Sequence, residues 1–141
     1  MLLPALGVLI ILCGLVFFSA QSFVGENDIP KEIPMISGEI VSIRAFRSDD
    51  LNRGIEVVVK TNLSLLESAQ YYNKEFEKRA IRAFNLPTFQ GSSYDLEKSS
   101  EASGGGETEN HQQVMIYFKS QDHSTLVTIS ILGDSIIFLP K

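Results

Sequence analysis

The chain has little of what usually carries chemistry. Among 141 residues there are one cysteine, two histidines and no tryptophan. The lone cysteine, Cys13, sits inside an apolar run, so the rest of the chain can form no disulfide framework and supplies no thiolate nucleophile. A small residue before the cysteine, as lipid attachment after signal cleavage requires, is also missing, because Leu12 stands there. His111 and His123 have only Glu109, Asp122 and Asp134 for company, at spacings that match no metal-ligand pattern on a rigid element. No serine lies in a Gly-x-Ser-x-Gly elbow, and Gly104-Gly105-Gly106 lacks the lysine that follows a phosphate-binding glycine loop. These absences point to a non-enzymatic protein with no cofactor and no metal.

A charge balance favouring nucleic acid is absent too. The net charge is −5, and Asp95, Glu97, Glu101, Glu107 and Glu109 concentrate the excess in one stretch against Lys98. The remainder is close to neutral, so no basic field directs the chain to nucleic acid.

Charge is wholly missing from residues 1–25, where residues 6–18 read LGVLIILCGLVFF. A helix that is apolar all round belongs in lipid or a translocon, and about 20 residues span the hydrocarbon core of a bilayer. Residues 1–24 are therefore expected to be an N-terminal hydrophobic helix that serves as a single-pass anchor, with the rest of the chain outside the cytoplasm in a bacterial envelope or periplasm. The alternative is a cleaved signal peptide, for which Ala20-Gln21-Ser22 offers small residues at the cleavage positions, and which would leave a secreted or periplasmic domain.

Residues 25–37, GENDIPKEIPMIS, show no periodicity and read as an extended linker. A small α+β domain is expected over 38–141. GEIVSIRAF and IEVVVK alternate as two half-buried strands joined through RSDDLNRG. Ser64 and Glu67 form a capping box that opens a helix. Leu65, Ala69, Tyr72, Phe76, Ala80 and Ala83 make its apolar stripe, and Asn85 and Pro87 close it. Residues 91–112, rich in serine, glycine and glutamate, read as a disordered loop dispensable for folding. VMIYFK, TLVTISIL and SIIFL then form a three-stranded meander, with SQDHS as a longer turn and Gly133-Asp134 as a tight one. The expected order is β-β-α-β-β-β, a single antiparallel sheet with one long helix on one face.

The functional expectation rests on the other face. With Val41, Ile43, Val57 and Val59 turned to the helix, alternation sends Ile40, Phe46, Val58, Met115, Tyr117, Leu126 and Leu132 the opposite way, where apolar side chains suit a partner better than water. Tyr117, Met115, Val58 and Leu126 are the candidate contacts of a protein partner or of self-assembly. Arg44, Arg47 and Arg53 cluster around the first hairpin and are either a solvated edge or contacts for an anionic partner such as lipid head groups. A different class of function, binding a small ligand between helix and sheet with Tyr71, Tyr94 or His111 at the mouth, is the alternative.

Overall fold

A computed structural model describes residues 24–47, 53–84 and 98–133. The expected hydrophobic helix, the loop residue Tyr94, and the SIIFL strand with its Gly133-Asp134 turn lie wholly or mostly outside them. Among the described residues no helix is long and apolar enough to cross a membrane.

The fold is α+β, one antiparallel six-stranded sheet with one helix packed on it. The elements are β1 (Glu39–Arg47), β2 (Arg53–Thr61), α1 (Leu65–Lys78), β3 (Arg82–Phe84), β4 (Glu101–Glu107), β5 (Gln113–Gln121) and β6 (Ser124–Leu132). Their spatial order is β1-β2-β6-β5-β4-β3. The two hairpins read from the sequence are present, β1 with β2 and β5 with β6, the second closed by only Asp122 and His123 rather than by a longer turn. β6 lies between β2 and β5, so both its edges are paired.

The largest departure from the sequence reading falls within residues 91–112. Instead of a disordered loop across this stretch, EASGGGE forms β4, an inner strand between β5 and β3, with Ala102, Gly104 and Gly106 buried. Strand propensity is poor here, and packing overrides it. Gly106 passes directly under the C-terminal end of α1, where a Cβ would come within 2.7 Å of Ile81 Cγ2 and 2.9 Å of Phe76 Cε2. A glycine expected to lie in a disordered loop is thus a place where the sheet backbone passes close beneath Phe76 and Ile81. Removal of 92–110 would thus take out an inner strand.

The helix begins as expected and ends early. Ser64 Oγ accepts the Glu67 N–H at 3.2 Å, and the Glu67 carboxylate accepts the Ser64 N–H at 2.8 Å. Leu65, Ala69, Tyr72 and Phe76 are buried along its inner stripe. The helix stops at Lys78, however, and Ala80 takes φ 54. Ile81 N–H bonds back to the Phe76 carbonyl at 2.9 Å and Ala80 N–H to the Glu77 carbonyl at 3.3 Å, the paired closure of a Schellman motif with alanine where glycine is usual. This reversal drops Ile81 into the core, 6% exposed, and starts β3. Ala80 and Ala83 therefore do not belong to the helical stripe.

The core sits between α1 and the sheet. Ile55, Val57, Val59, Val127, Ile129, Ile131, Val114, Ile116 and Phe118 are at most 1% exposed on one sheet face. Tyr72 lies edge-on to Phe76 and Phe118, with ring centroids 6.0 and 5.8 Å away.

Residues 24–37 are not a free linker. After a single turn of 3-10 helix at Glu26–Asp28, the segment is strapped to α1: Tyr71 Oη donates to the Met35 carbonyl at 2.8 Å, and Arg79 Nη1 to the Lys31 carbonyl at 3.2 Å. Ile33 and Ile36 are 3% and 4% exposed, and Val24, Ile29 and Met35 pack against the same core. Ile29, Ile33 and Ile36 recur every three or four residues, a signal hidden by the prolines between them. The folded unit thus includes residues 24–37, ahead of the start expected at 38.

Candidate functional site

The open face of the sheet, opposite α1, follows from register. Glu56 and Val58 on β2 stand beside Ser130 and Thr128 on β6, which in turn oppose Met115 and Tyr117 on β5. On β5 the alternation is strict: Val114, Ile116 and Phe118 are fully buried, while Met115 and Tyr117 are 40% and 38% exposed. Tyr117 therefore projects from the face opposite to Ile116 and Phe118, as the sequence requires.

On β1 the expected alternation fails. A register shift between Ile40 and Ser42 inserts one residue, so Ile40 pairs with Val59 and Ser42 with Val58. Such a bulge reverses the inward and outward sense of all residues on one side of it. Ile40 consequently packs against the core, whereas Val41, expected to face the helix, is 55% exposed. Ile43 keeps its inward orientation beyond the bulge and is half-buried.

The open face is more polar than alternation alone suggested. Phe46 lies over Gly54, whose missing side chain makes room for the ring, and both are at least half-buried. Val58, Leu126 and Leu132 are half-buried as well. Arg44 Nε donates to Glu56 Oε1 at 2.6 Å across the β1–β2 pair, and Lys119 Nζ lies 3.8 Å from Glu101 Oε1 across β4–β5. Met115 and Tyr117 stand out because their lateral neighbours are short. Met115 is flanked by Gly105 and Ser130, and Tyr117 by Ser103 and Thr128. The result is a two-residue ridge with small side chains on both flanks. The Glu101 carboxylate beside Tyr117 holds the phenolic proton and pushes its pKa up, so the ridge presents a neutral hydroxyl as well as an apolar body.

The other candidates are dispersed. Val58 and Leu126 share the open face with Met115 and Tyr117. Arg44 is on that face too, tied to Glu56, while Arg47 and Arg53 oppose each other at the far end of the β1–β2 hairpin, facing the other way. The three arginines do not form one anion-binding cluster.

Neither histidine joins a cluster of ligands. His111 Nδ1 is 2.9 Å from Glu107 Oε1 in the exposed turn after β4, and His123 is in the exposed β5–β6 turn. Among the described residues no three histidine, cysteine or acidic side chains are grouped to hold a metal ion. The space between helix and sheet expected by the small-ligand reading is filled by Tyr72, Phe76 and Phe118 where the helix crosses β5, and Tyr71 is occupied by the Met35 carbonyl. Burial pushes the Tyr72 phenol well above the tyrosine range, which removes it as an acid or base near neutrality.

Comparison with protein-family models and with curated proteins gives no match to this chain.

Proposed function

We propose that this is a non-enzymatic, membrane-tethered extracytoplasmic domain that binds a protein partner through the open face of its sheet, with Met115 and Tyr117 as the anchoring side chains. One observation carries the reading: two large side chains stand exposed at i and i+2 on an inner strand, over neighbours too small to cover them. Tyrosine and methionine are enriched at protein interfaces, where a rigid or adaptable apolar body combines with a polar atom, and flanking small residues let a partner close around them. Val58 and Leu126 extend the apolar floor of the same face. The surrounding Arg44–Glu56 and Lys119–Glu101 pairs suit a polar rim that sets orientation more than affinity.

The test introduces a charge on either side of β5. Phe118→Asp buries a carboxylate at a fully enclosed position and prevents folding, whereas Tyr117→Asp leaves the circular dichroism spectrum and melting temperature of the soluble domain nearly unchanged. In native membranes, a photocrosslinking amino acid at position 117 gives a discrete adduct that one at the exposed helix position 74 does not, and Met115→Asp abolishes it. If Tyr117→Asp unfolds the domain as Phe118→Asp does, or if positions 117 and 74 crosslink alike, the open face is not a docking surface.

A further inference from the structure

We infer that residues 24–37 act as a rigid strap that holds the domain directly against the lipid surface, with α1 and the strap toward the bilayer and the Met115–Tyr117 ridge turned away from it. The inference rests on the membrane-tethered reading and adds to it an orientation and a lipid-facing surface.

Three observations lead there. The first is the length of chain that precedes the fold. Residues 1–23 contain no charged side chain, and about 20 such residues are used up in crossing the hydrocarbon core. The second is how soon in the chain a fixed residue is reached. Val24 already packs against the core cluster, so only residues 19–23 stand between the apolar run that ends at Phe18 and a fixed residue, a span of at most about 22 Å. Residues 24–37 add no slack, because Ile33 and Ile36 are buried and the carbonyls of Lys31, Glu32 and Met35 are bonded to Arg79, just past the end of α1, and to Tyr71 on it. The third is the surface beside that junction. A cavity of about 580 Å³ opens there, with Ile29, Pro30, Ile33, Met35, Ile36 and Ile40 in its lining. Lys31, Arg79, Glu26, Ser37 and Gly38 complete the lining. An apolar hollow with charged groups around it suits the boundary between acyl chains and head groups.

Orientation follows from the same contacts. The strap is fixed to α1, and α1 covers the sheet face that carries Ile116 and Phe118. The ridge on the opposite face is thereby directed into the aqueous space, where a soluble or membrane-standing partner can reach it.

The test uses the full chain, with Cys13 replaced by serine, reconstituted in phosphatidylcholine–phosphatidylglycerol vesicles. Single cysteines at Asp28, Ser37 and Lys119, all exposed, carry a fluorophore, and the vesicles carry a quencher on the lipid head group. Quenching at positions 28 and 37 is expected to exceed that at 119 at least about threefold, and a flexible insert of about 12 residues between positions 23 and 24 brings it down to the level at 119. Equal quenching at the three positions, or quenching at 28 and 37 that survives the insert, overturns the inference. Alkaline carbonate extraction separates the two ways of failing. Release of the protein into the supernatant sinks the tether and the inference together, whereas retention in the pellet with positions 28 and 37 unquenched sinks the inference alone.

Discussion

Replacing Gly106 by alanine tests whether β4 is a structural strand held under the helix or a tolerated insertion. The new methyl carbon would lie 2.7 Å from Ile81 Cγ2, 2.9 Å from Phe76 Cε2 and 3.1 Å from the Arg82 carbonyl oxygen. Separations below 3.0 Å require something to move, and both side chains are sealed, Ile81 at 6% and Phe76 at 1% exposure. Phe76 is pinned edge-on to Tyr72, and Ile81 is fixed by the bond from its N–H to the Phe76 carbonyl. Overpacking a site of this kind costs about 2–3 kcal/mol, offset by about 0.5–1 kcal/mol because alanine loses less backbone freedom than glycine. The net loss is then about 1–2.5 kcal/mol, or roughly 4–20 °C in melting temperature for a domain near 100 residues. Thermal unfolding of residues 24–141 followed by circular dichroism measures it. Leucine at position 81 lacks the Cγ2 methyl, so Ile81→Leu combined with Gly106→Ala should recover at least about 0.5 kcal/mol relative to additivity. A Gly106→Ala protein that melts at or above the parent temperature would refute the close approach and return residues 91–112 to the status of a loop.

Three further outcomes follow from named contacts. Ala80 holds φ 54, a conformation that costs an L-residue about 1 kcal/mol or more, so Ala80→Gly should raise the unfolding free energy by about 1 kcal/mol in urea titration. The Tyr72 hydroxyl is buried beside the Ile36 backbone without a well-formed hydrogen bond, so Tyr72→Phe should leave stability unchanged or raise it by about 1 kcal/mol, and a clear loss would mean that the hydroxyl is bonded. The Ser64 N–H and hydroxyl hold the Glu67 carboxyl below the usual glutamate range. A depressed carboxylate stabilises the fold above its unfolded pKa and loses that contribution as pH falls through its folded one. Glu67→Gln should accordingly melt below the parent at neutral pH and converge on it from about pH 5 downward, and curves that stay parallel would exclude the capping carboxylate as the cause.

What could be read from the chain divides along a physical line. Elements whose identity is set locally were legible: the capping box at Ser64 and Glu67, and the strict alternation of β5 and β6. Elements set by distant partners were not. β4 has almost no intrinsic tendency to extend, and it is a strand because β5 and β3 offer hydrogen bonds on both sides and because Phe76 and Ile81 leave space only for glycine at position 106. The helix end at Lys78 was obscured because alanine, not glycine, occupies the left-handed position. The bulge at Val41 has no composition of its own, yet it decides that Ile40 goes inward and Val41 outward. Of the open face, the orientation of Tyr117 and Met115 was legible from alternation alone. Alternation was also enough to separate the arginines, since Arg44 and Arg47 are an odd number of positions apart, and the pairing of Arg44 with Glu56 and of Arg47 with Arg53 agrees with it.

The bulge also bears on why the proposal places docking on a face and not on an edge. β1 is an edge strand nine residues long, and an edge of that length offers unpaired backbone groups to any passing strand. Two devices on it work against such pairing. The extra residue at Val41 breaks the regular spacing of donors and acceptors, and Arg47 opposite Arg53 puts like charges at the end of the hairpin, where an incoming strand would have to desolvate them. At the other edge, among the described residues, β3 spans Arg82–Phe84, a short template for strand addition. With both edges blunted, association by strand addition is disfavoured. The partner binding proposed above therefore relies on side-chain recognition on the open face, where Met115 and Tyr117 are 40% and 38% exposed.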